Sequence, residues 1–305
     1  MHGPSPVCEP HRMRVYLVDG TYELFRHFFP LPSHINAAGE EVSAARGTVG
    51  SILQLLESGA THVGVATDQV IESYRNDLWP GYKDGSGIDP ALYSQFPILE
   101  AAVEAIGVTL WPMVEVEADD AMASAAAIAA ADARVEQVLI CTPDKDLAQC
   151  VVDDRVVQVD RRRDVTIGVA GVREKYGVDP ASIPDWLALT GDSADGFPGL
   201  KGWGAKSAAA VLAHYKHLED IPANGLRWDI DVRSAVKLAT TLQQEMEHAL
   251  LFKHLATLRL DAPVGAVDDW EWRGPSPDLD ALCTRLEAPR LAERVNKLAA
   301  ARGIS

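Results

Sequence analysis

Residues 199–208 read GLKGWGAKSA, with three glycines, two lysines and a serine in ten positions. The stretch nearly spells G-x-x-x-x-G-K-[ST], the loop in which backbone N–H groups and a lysine cradle a nucleotide's phosphates. Ala205 stands between Gly204 and Lys206, one residue too many for that pattern. A nucleotide loop also follows directly on a strand. Here the preceding IPDWLALTGDSAD (183–195) has the apolar spacing of a helix. No nucleotide cofactor is therefore expected. The stretch is either a plain turn or a grip on some other phosphate.

Upstream, short β-rich runs alternate with helical patterns. RVYLVD (14–19) and HVGVATD (62–68) read as buried strands, each ending in an acid, with VTLW (108–111) and EQVLICTPDKD (136–146) as further strand-bearing segments. Helical spacing covers 43–59, with a glycine stop, as well as 90–106 and the alanine-rich ADDAMASAAAIAAAD (118–132). VVQVD (156–160) and VTIGV (165–169) flank RRRD as a β-hairpin. Alternating apolar strands and helices give an α/β fold, a parallel sheet covered on both faces. From about Val172 the pattern becomes helical, and 261–276, rich in Asp, Pro and Gly, reads as a loop or late linker.

With 47% hydrophobic and 24% charged residues the composition is that of a folded globular protein, and 305 residues suit two domains or one large domain with an appendage. No apolar run is long enough to span a bilayer, so no membrane partner is expected. MHGPSPVCEPHR (1–12) has no apolar signal core and reads as a flexible tail, Met13 then being a possible start. Cys8, Cys141, Cys150 and Cys283 show no C-x-x-C spacing, so neither a zinc site nor a disulfide frame is expected, and a cytoplasmic location is the default. The formal charge of −16 argues against nucleic acid unless the acids are gathered in one place and neutralised by metal.

They are gathered. Ligands of open parallel sheets bind outside the carboxyl ends of the strands. There lie Asp19, Asp68 and the pair Asp144 and Asp146. Glu117, Asp119 and Asp120 open a helix, where the dipole favours negative charge. Asp192 and Asp195, three apart, are expected to be neighbours on one helical turn. Nine carboxylates converging without basic partners need a hard, oxygen-seeking cation, for which Mg²⁺ or Mn²⁺ fits. Two ions roughly 3.5–4 Å apart would activate water and stabilise a leaving oxygen in phosphodiester cleavage.

VDGTYELFR (18–26), YRNDLWPGYK (74–83), VEADDAMAS (116–124), TPDKDLAQCV (142–151) and the block 173–212 come in the order found in the 5′-nuclease family. Over residues 14–260 the chain resembles that family, which includes the 5′-3′ exonuclease domain of bacterial DNA polymerase I and the flap endonucleases. The resemblance implies a PIN-like α/β nuclease core over 13–178. A helical region with a helix-hairpin-helix motif and C-terminal helices would then fill 179–305. It implies that Asp19, Glu117, Asp119 and Asp120 serve mainly a first metal. Asp144, Asp146, Asp192 and Asp195 would serve a second or peripheral one, with Asp68 close by through water. Lys83 is implied to stabilise transition-state charge, Arg26 and Arg75 to lie near the substrate's 5′ side, and Tyr82 to stack on a terminal base. The hairpin would hold DNA phosphates through Gly199, Gly202, Gly204 and the helix opened by Ser207, with charge from Lys201 and Lys206 and a K⁺ ion often bound there.

Two departures from the family stand out. YKDGSGIDP replaces a basic run, Ser86 stands where arginine is common, and no Lys or Arg occurs between Asp84 and Asp132. Gly196 replaces a common Asn and is expected to relax its turn. The implied activity is metal-dependent 5′-3′ exonuclease or flap endonuclease action on DNA with a 5′ flap, overhang or nick, by a stand-alone monomer in replication or repair. The alternatives are an RNA-directed PIN-type nuclease and a non-catalytic DNA-binding relative.

Overall fold

The computed structural model describes residues 13–304; the expected tail over 1–12, with Cys8, lies outside them. Six strands form one sheet: β1 Met13–Asp19, β2 His62–Asp68, β3 Thr109–Met113, β4 Val135–Cys141, β5 Val156–Asp160 and β6 Val165–Ile167. Their order is β3-β2-β1-β4-β5-β6, parallel except for β6, which closes the expected hairpin on β5. The order reverses at β1, between β2 and β4, the position where open α/β sheets leave a crevice at the strands' carboxyl ends.

Helices alternate with the strands: α1 Gly20–Phe28, α2 Ser43–Glu57, α3 Tyr74–Leu78, α4 Pro90–Tyr93, α5 Phe96–Ala105 and α6 Ala118–Ala131. Side chains alternate across each strand. Val18, Val63 and Val65 join α2 and α5 in one core, while Val15, Leu17 and Val138 join α6 in another. The single helix expected over 90–106 is broken at Ser94 and Gln95. The break lets Gln95, fully buried, accept hydrogen bonds from the N–H groups of Ala44 and Ala45 with its Oε1, at 2.9 and 3.1 Å. The first turn of α2, preceded by Val42, has no side-chain cap of its own, so Gln95 satisfies donors that burial would otherwise strand.

The helical part comprises α7 Val169–Tyr176, α8 Ile183–Thr190, α9 Ala205–Tyr215, α10 Ala235–Gln244 and α11 Met246–Ala256, packed around a third core. The last helices, α12 Leu279–Arg285 and α13 Pro289–Ala301, do not belong with it. They pack on α5 and α2, and their Leu282, Leu286, Leu291 and Val295 complete the first core. The connecting stretch 261–276 is irregular, as expected, yet firmly seated. Trp270 is fully buried edge-on against Trp111 and donates to the Val264 carbonyl at 2.7 Å. Trp272 donates its indole N–H to the Ile106 carbonyl at 2.7 Å and its backbone N–H to that of Thr61 at 2.8 Å. Residues from about 258 onward thus return to the α/β part, where these apolar side chains find cover. Among the described residues no helix is long and apolar enough to cross a membrane.

Candidate metal and phosphate site

Asp19 ends β1 and caps α1, accepting the Tyr22 N–H at 2.7 Å and the Thr142 hydroxyl at 3.0 Å. It can turn so abruptly because Gly20 follows. A Cβ there would lie 2.9 Å from the Ala66 carbonyl oxygen and 2.8 Å from Thr67, so only glycine lets α1 start flush against β2. Asp68 ends β2 and accepts the Ala118 N–H of the α6 start at 2.9 Å. The pair beyond β4 lies three and five residues past the strand's last residue, in the loop and at the start of a short 3₁₀ turn, where Asp144 accepts the Asp146 N–H at 2.9 Å.

Two triads result. One oxygen each from Asp119, Asp144 and Asp146 lie within 4.8 Å of one another, and the same holds for Asp146, Asp192 and Asp195. Asp146 belongs to both, is buried, and its Oδ1 has no hydrogen-bond partner among the described residues. An orphaned, buried carboxylate oxygen between like charges fits a hard divalent cation and little else. Burial pushes Asp146 and Asp119 well above the usual carboxylate range, reinforced by Asp144 in both cases. Burial also lifts Asp195, against the pull of Lys83, and it raises Asp68. Asp19 is pushed up to about 7, by burial first and then by Asp68 and Asp144.

A carboxyl whose folded pKa is raised binds more protons folded than unfolded between about pH 4 and 7, so stability falls as pH rises through that window. The protein in EDTA is expected to melt higher at pH 5 than at pH 8. Added divalent metal should raise the melting temperature more at pH 8, where it need not displace protons. Equal melting at both pH values without metal would contradict this reading of the cluster.

The nine acids are not without basic partners. Lys83 Nζ lies 2.6 Å from Glu117 and 3.1 Å from Asp195, and Lys145 pairs with Asp192. Burial alone would raise Glu117, yet Lys83 and Arg75 hold it below its usual value. Asp120 needs correction as a metal ligand. It is fully buried, receives Arg75 Nη1 and Nη2 at 2.7 and 2.8 Å, and accepts the backbone N–H of Glu117 and Arg259. Its oxygens face away from both triads because consecutive residues on a helix are turned about 100° apart.

Arg75 is likewise corrected as a substrate contact. It is 1% exposed and spends its donors on Glu117, Asp120 and the carbonyls of Leu255 and Thr257. Tyr82 is 5% exposed within the helical core, its hydroxyl 3.4 Å from Glu117, and no base can stack on a face that is covered. Arg26 is tied to buried Glu23 and to the Ser51 hydroxyl. Lys145 and Thr142 were missed, although both lie in the TPDKD that supplied the acids.

Asp192 and Asp195 do not share a helical turn, because α8 stops at Thr190 and Gly191 follows at φ +80°. They sit instead in a tight turn closed by Asp192 and Phe197, whose backbones exchange hydrogen bonds of 2.8 and 3.0 Å. Gly196 occupies this turn at φ +83°, and a Cβ there would lie 1.9 Å from the Gly81 carbonyl oxygen. So Gly196 does more than relax the turn: it allows 192–197 to press on 81–83, where the Lys83 N–H donates to the Asp195 carbonyl at 3.0 Å.

The same loop runs on into the glycine stretch, with Gly199 at φ +68° and Gly202 at φ +88°. Gly204 precedes α9, its N–H donating to the Ser207 hydroxyl at 3.1 Å. Lys201 and Lys206 are exposed. Two helices thus flank a glycine turn that begins four residues after Asp195.

Two family models cover most of the chain: "5'-3' exonuclease, N-terminal resolvase-like domain" matches residues 14–177, and "5'-3' exonuclease, C-terminal SAM fold" matches residues 178–278. DNA polymerase I of Bacillus caldotenax is 33% identical over 269 residues, 86% of this chain and 30% of the polymerase. The thermostable DNA polymerase I of Thermus aquaticus is 34% identical over 289 residues, 94% of this chain and 33% of the polymerase. The chain thus spans about a third of the length of these relatives. Among solved structures, the bacteriophage T5 D15 flap endonuclease in complex with DNA and metal ions superposes with a TM-score of 0.62 at 20% identity, covering 94% of this chain and 99% of that one. This last likeness bears on the fold alone.

Proposed function

Because the chain belongs to the 5′-3′ exonuclease family, we propose that it is a metal-dependent 5′ nuclease hydrolysing DNA phosphodiesters at a 5′ flap, overhang or nick. The observation that carries this reading is the pair of acid triads sharing Asp146, with Lys83 at their edge. Asp119, Asp144 and Asp146 would hold one divalent cation, and Asp146, Asp192 and Asp195 another, with Mg²⁺ or Mn²⁺ suited to an all-carboxylate set. Bound there, such ions supply an activated water and charge compensation for the leaving oxygen.

The chain's own residues do the rest. Lys83 is held between Glu117 and Asp195, so its ammonium stands ready for a phosphate that arrives beside the triads. Arg75 and Ser73 fix the Glu117 carboxylate that orients it, the Ser73 hydroxyl donating at 2.8 Å. The glycine hairpin would take a duplex phosphate downstream, with K⁺ as its counter-ion, and the 192–197 turn ties its position to that of the acids. The enzyme would act as a monomer in the cytoplasm.

Purified protein incubated with 5′-overhang, nicked and flap DNA, with Mg²⁺ or Mn²⁺ and every product end mapped, tests the reading. Metal-dependent cuts confined to the 5′ strand at or near the junction are expected. No cleavage of any of the three substrates with either metal would sink it.

A further inference from the structure

The chain carries 28 Lys and Arg against 44 Asp and Glu, but the balance reverses over 201–237, with six Lys and Arg against four Asp and Glu. Most arginines and lysines elsewhere are tied to carboxylates, as Arg26, Arg75, Arg134, Lys145, Arg285 and Arg294 are. In this segment Lys201, Lys206, Arg227, Arg233 and Lys237 are all exposed and form no ion pair among the described residues. In so acidic a protein, a segment of exposed cations without carboxylate partners points to a partner from outside.

Lys206 and Arg233 line a hollow of about 730 Å³, and Lys237 stands beside its lining residue Leu238 in the first turn of α10. One wall is the hairpin and the start of α9, Gly202 to Ser207. The other is Asp231 to Ser234 and Leu238, from the loop before α10 and its first turn, with Ser234 in the left-handed region at φ +62°. Trp203 also lines the hollow; it is 8% exposed, and its indole N–H has no hydrogen-bond partner among the described residues.

We propose that this hollow is a two-walled seat for the sugar-phosphate backbone of duplex DNA, in which Arg233 and Lys237 hold a phosphate from the side opposite the hairpin. The proposal rests on the nuclease reading and extends it to residues outside the glycine stretch. A phosphodiester track is the occupant that fits, because the hollow continues the hairpin, carries cations on both walls, and is open enough for a strand to run through.

The test is duplex binding in Ca²⁺, followed by fluorescence anisotropy from 50 to 300 mM salt, for the wild type, Arg233→Ala/Lys237→Ala and Arg233→Glu. Each lost phosphate contact should reduce the slope of log affinity against log salt by about 0.9, so the double variant is expected to lose about 1.8 in slope and tenfold or more in affinity. Arg233→Glu should weaken binding further than Arg233→Ala, and Arg233→Lys should restore most of it. Both side chains are exposed and unpaired, so melting temperatures should not move. An unchanged slope and affinity in the double variant, while the wild type still binds and cuts DNA, overturns this inference and leaves the nuclease reading standing. A wild type that neither binds nor cuts any of the DNA substrates overturns both.

Discussion

Asp146→Asn is expected to abolish metal-dependent cleavage, by roughly 10³-fold or more, while leaving the fold intact. The residue is the only acid common to both triads, so one substitution removes a charged ligand from each. Its environment also makes the outcome distinctive. Asp146 is buried among Asp144, Asp192 and Asp195; burial first, and then the crowding of these like charges, pushes its carboxyl upward. Neutralising it should hold or raise the melting temperature in EDTA and remove most of the stabilisation that Mn²⁺ gives the wild type. Calorimetric titration with Mn²⁺ reads the same loss directly. A variant that still cuts within tenfold of the wild-type rate would break the assignment of the triads.

Arg75→Met is expected to act in the opposite way, through the fold. Removing one partner from a buried ion pair leaves the other charge stranded and costs about 3–5 kcal/mol. Here the stranded charge is Asp120, fully buried, while Glu117 keeps Lys83 at 2.6 Å as its partner. The lost bonds also release the carbonyls of Leu255 and Thr257, at the end of α11, so the helical part loosens from the core at that seam. The melting temperature should fall by several degrees, and a double-mutant cycle with Asp120→Asn should show a coupling of about 1–3 kcal/mol. Were Arg75 a substrate contact, the substitution would raise KM and leave melting unchanged.

These two residues also mark how far the sequence could be read. The alternation of apolar strands with helices was plain in runs such as RVYLVD and HVGVATD. Both strands end where expected because an acid ends each apolar run, Asp19 capping α1 and Asp68 accepting the first N–H of α6. The gathering of acids at one sheet edge was legible for the same reason. What could not be read was direction. Asp119 and Asp120 are adjacent in sequence, but one faces the triads and the other the guanidinium of Arg75, and only the packing of α3 against α6 determines which. Tyr82 and Lys83 pose the same problem: the aromatic ring joins the helical core while the ammonium reaches the acids. The turn at 192–197 was hidden because three-residue spacing suits a helix as well as a hairpin. The stop at Gly191 decides between them. The place of α12 and α13 depends on contacts with α5 and α2, far earlier in the chain, which local pattern does not carry.

That return of the chain has a consequence for synthesis. The core between the sheet, α2 and α5 is completed by Leu282, Leu286, Leu291 and Val295, near the end of the described chain. As the protein leaves the ribosome, the strands and their first helices emerge long before these residues do. The apolar faces of α2 and α5 then stay partly open while the rest of the sheet and the whole helical part are being made. The α/β part therefore cannot close before the helical part has been translated. A ribosome stalled after residue 257 should display a chain that proteases cut within α2 and α5, and one released after 304 should not.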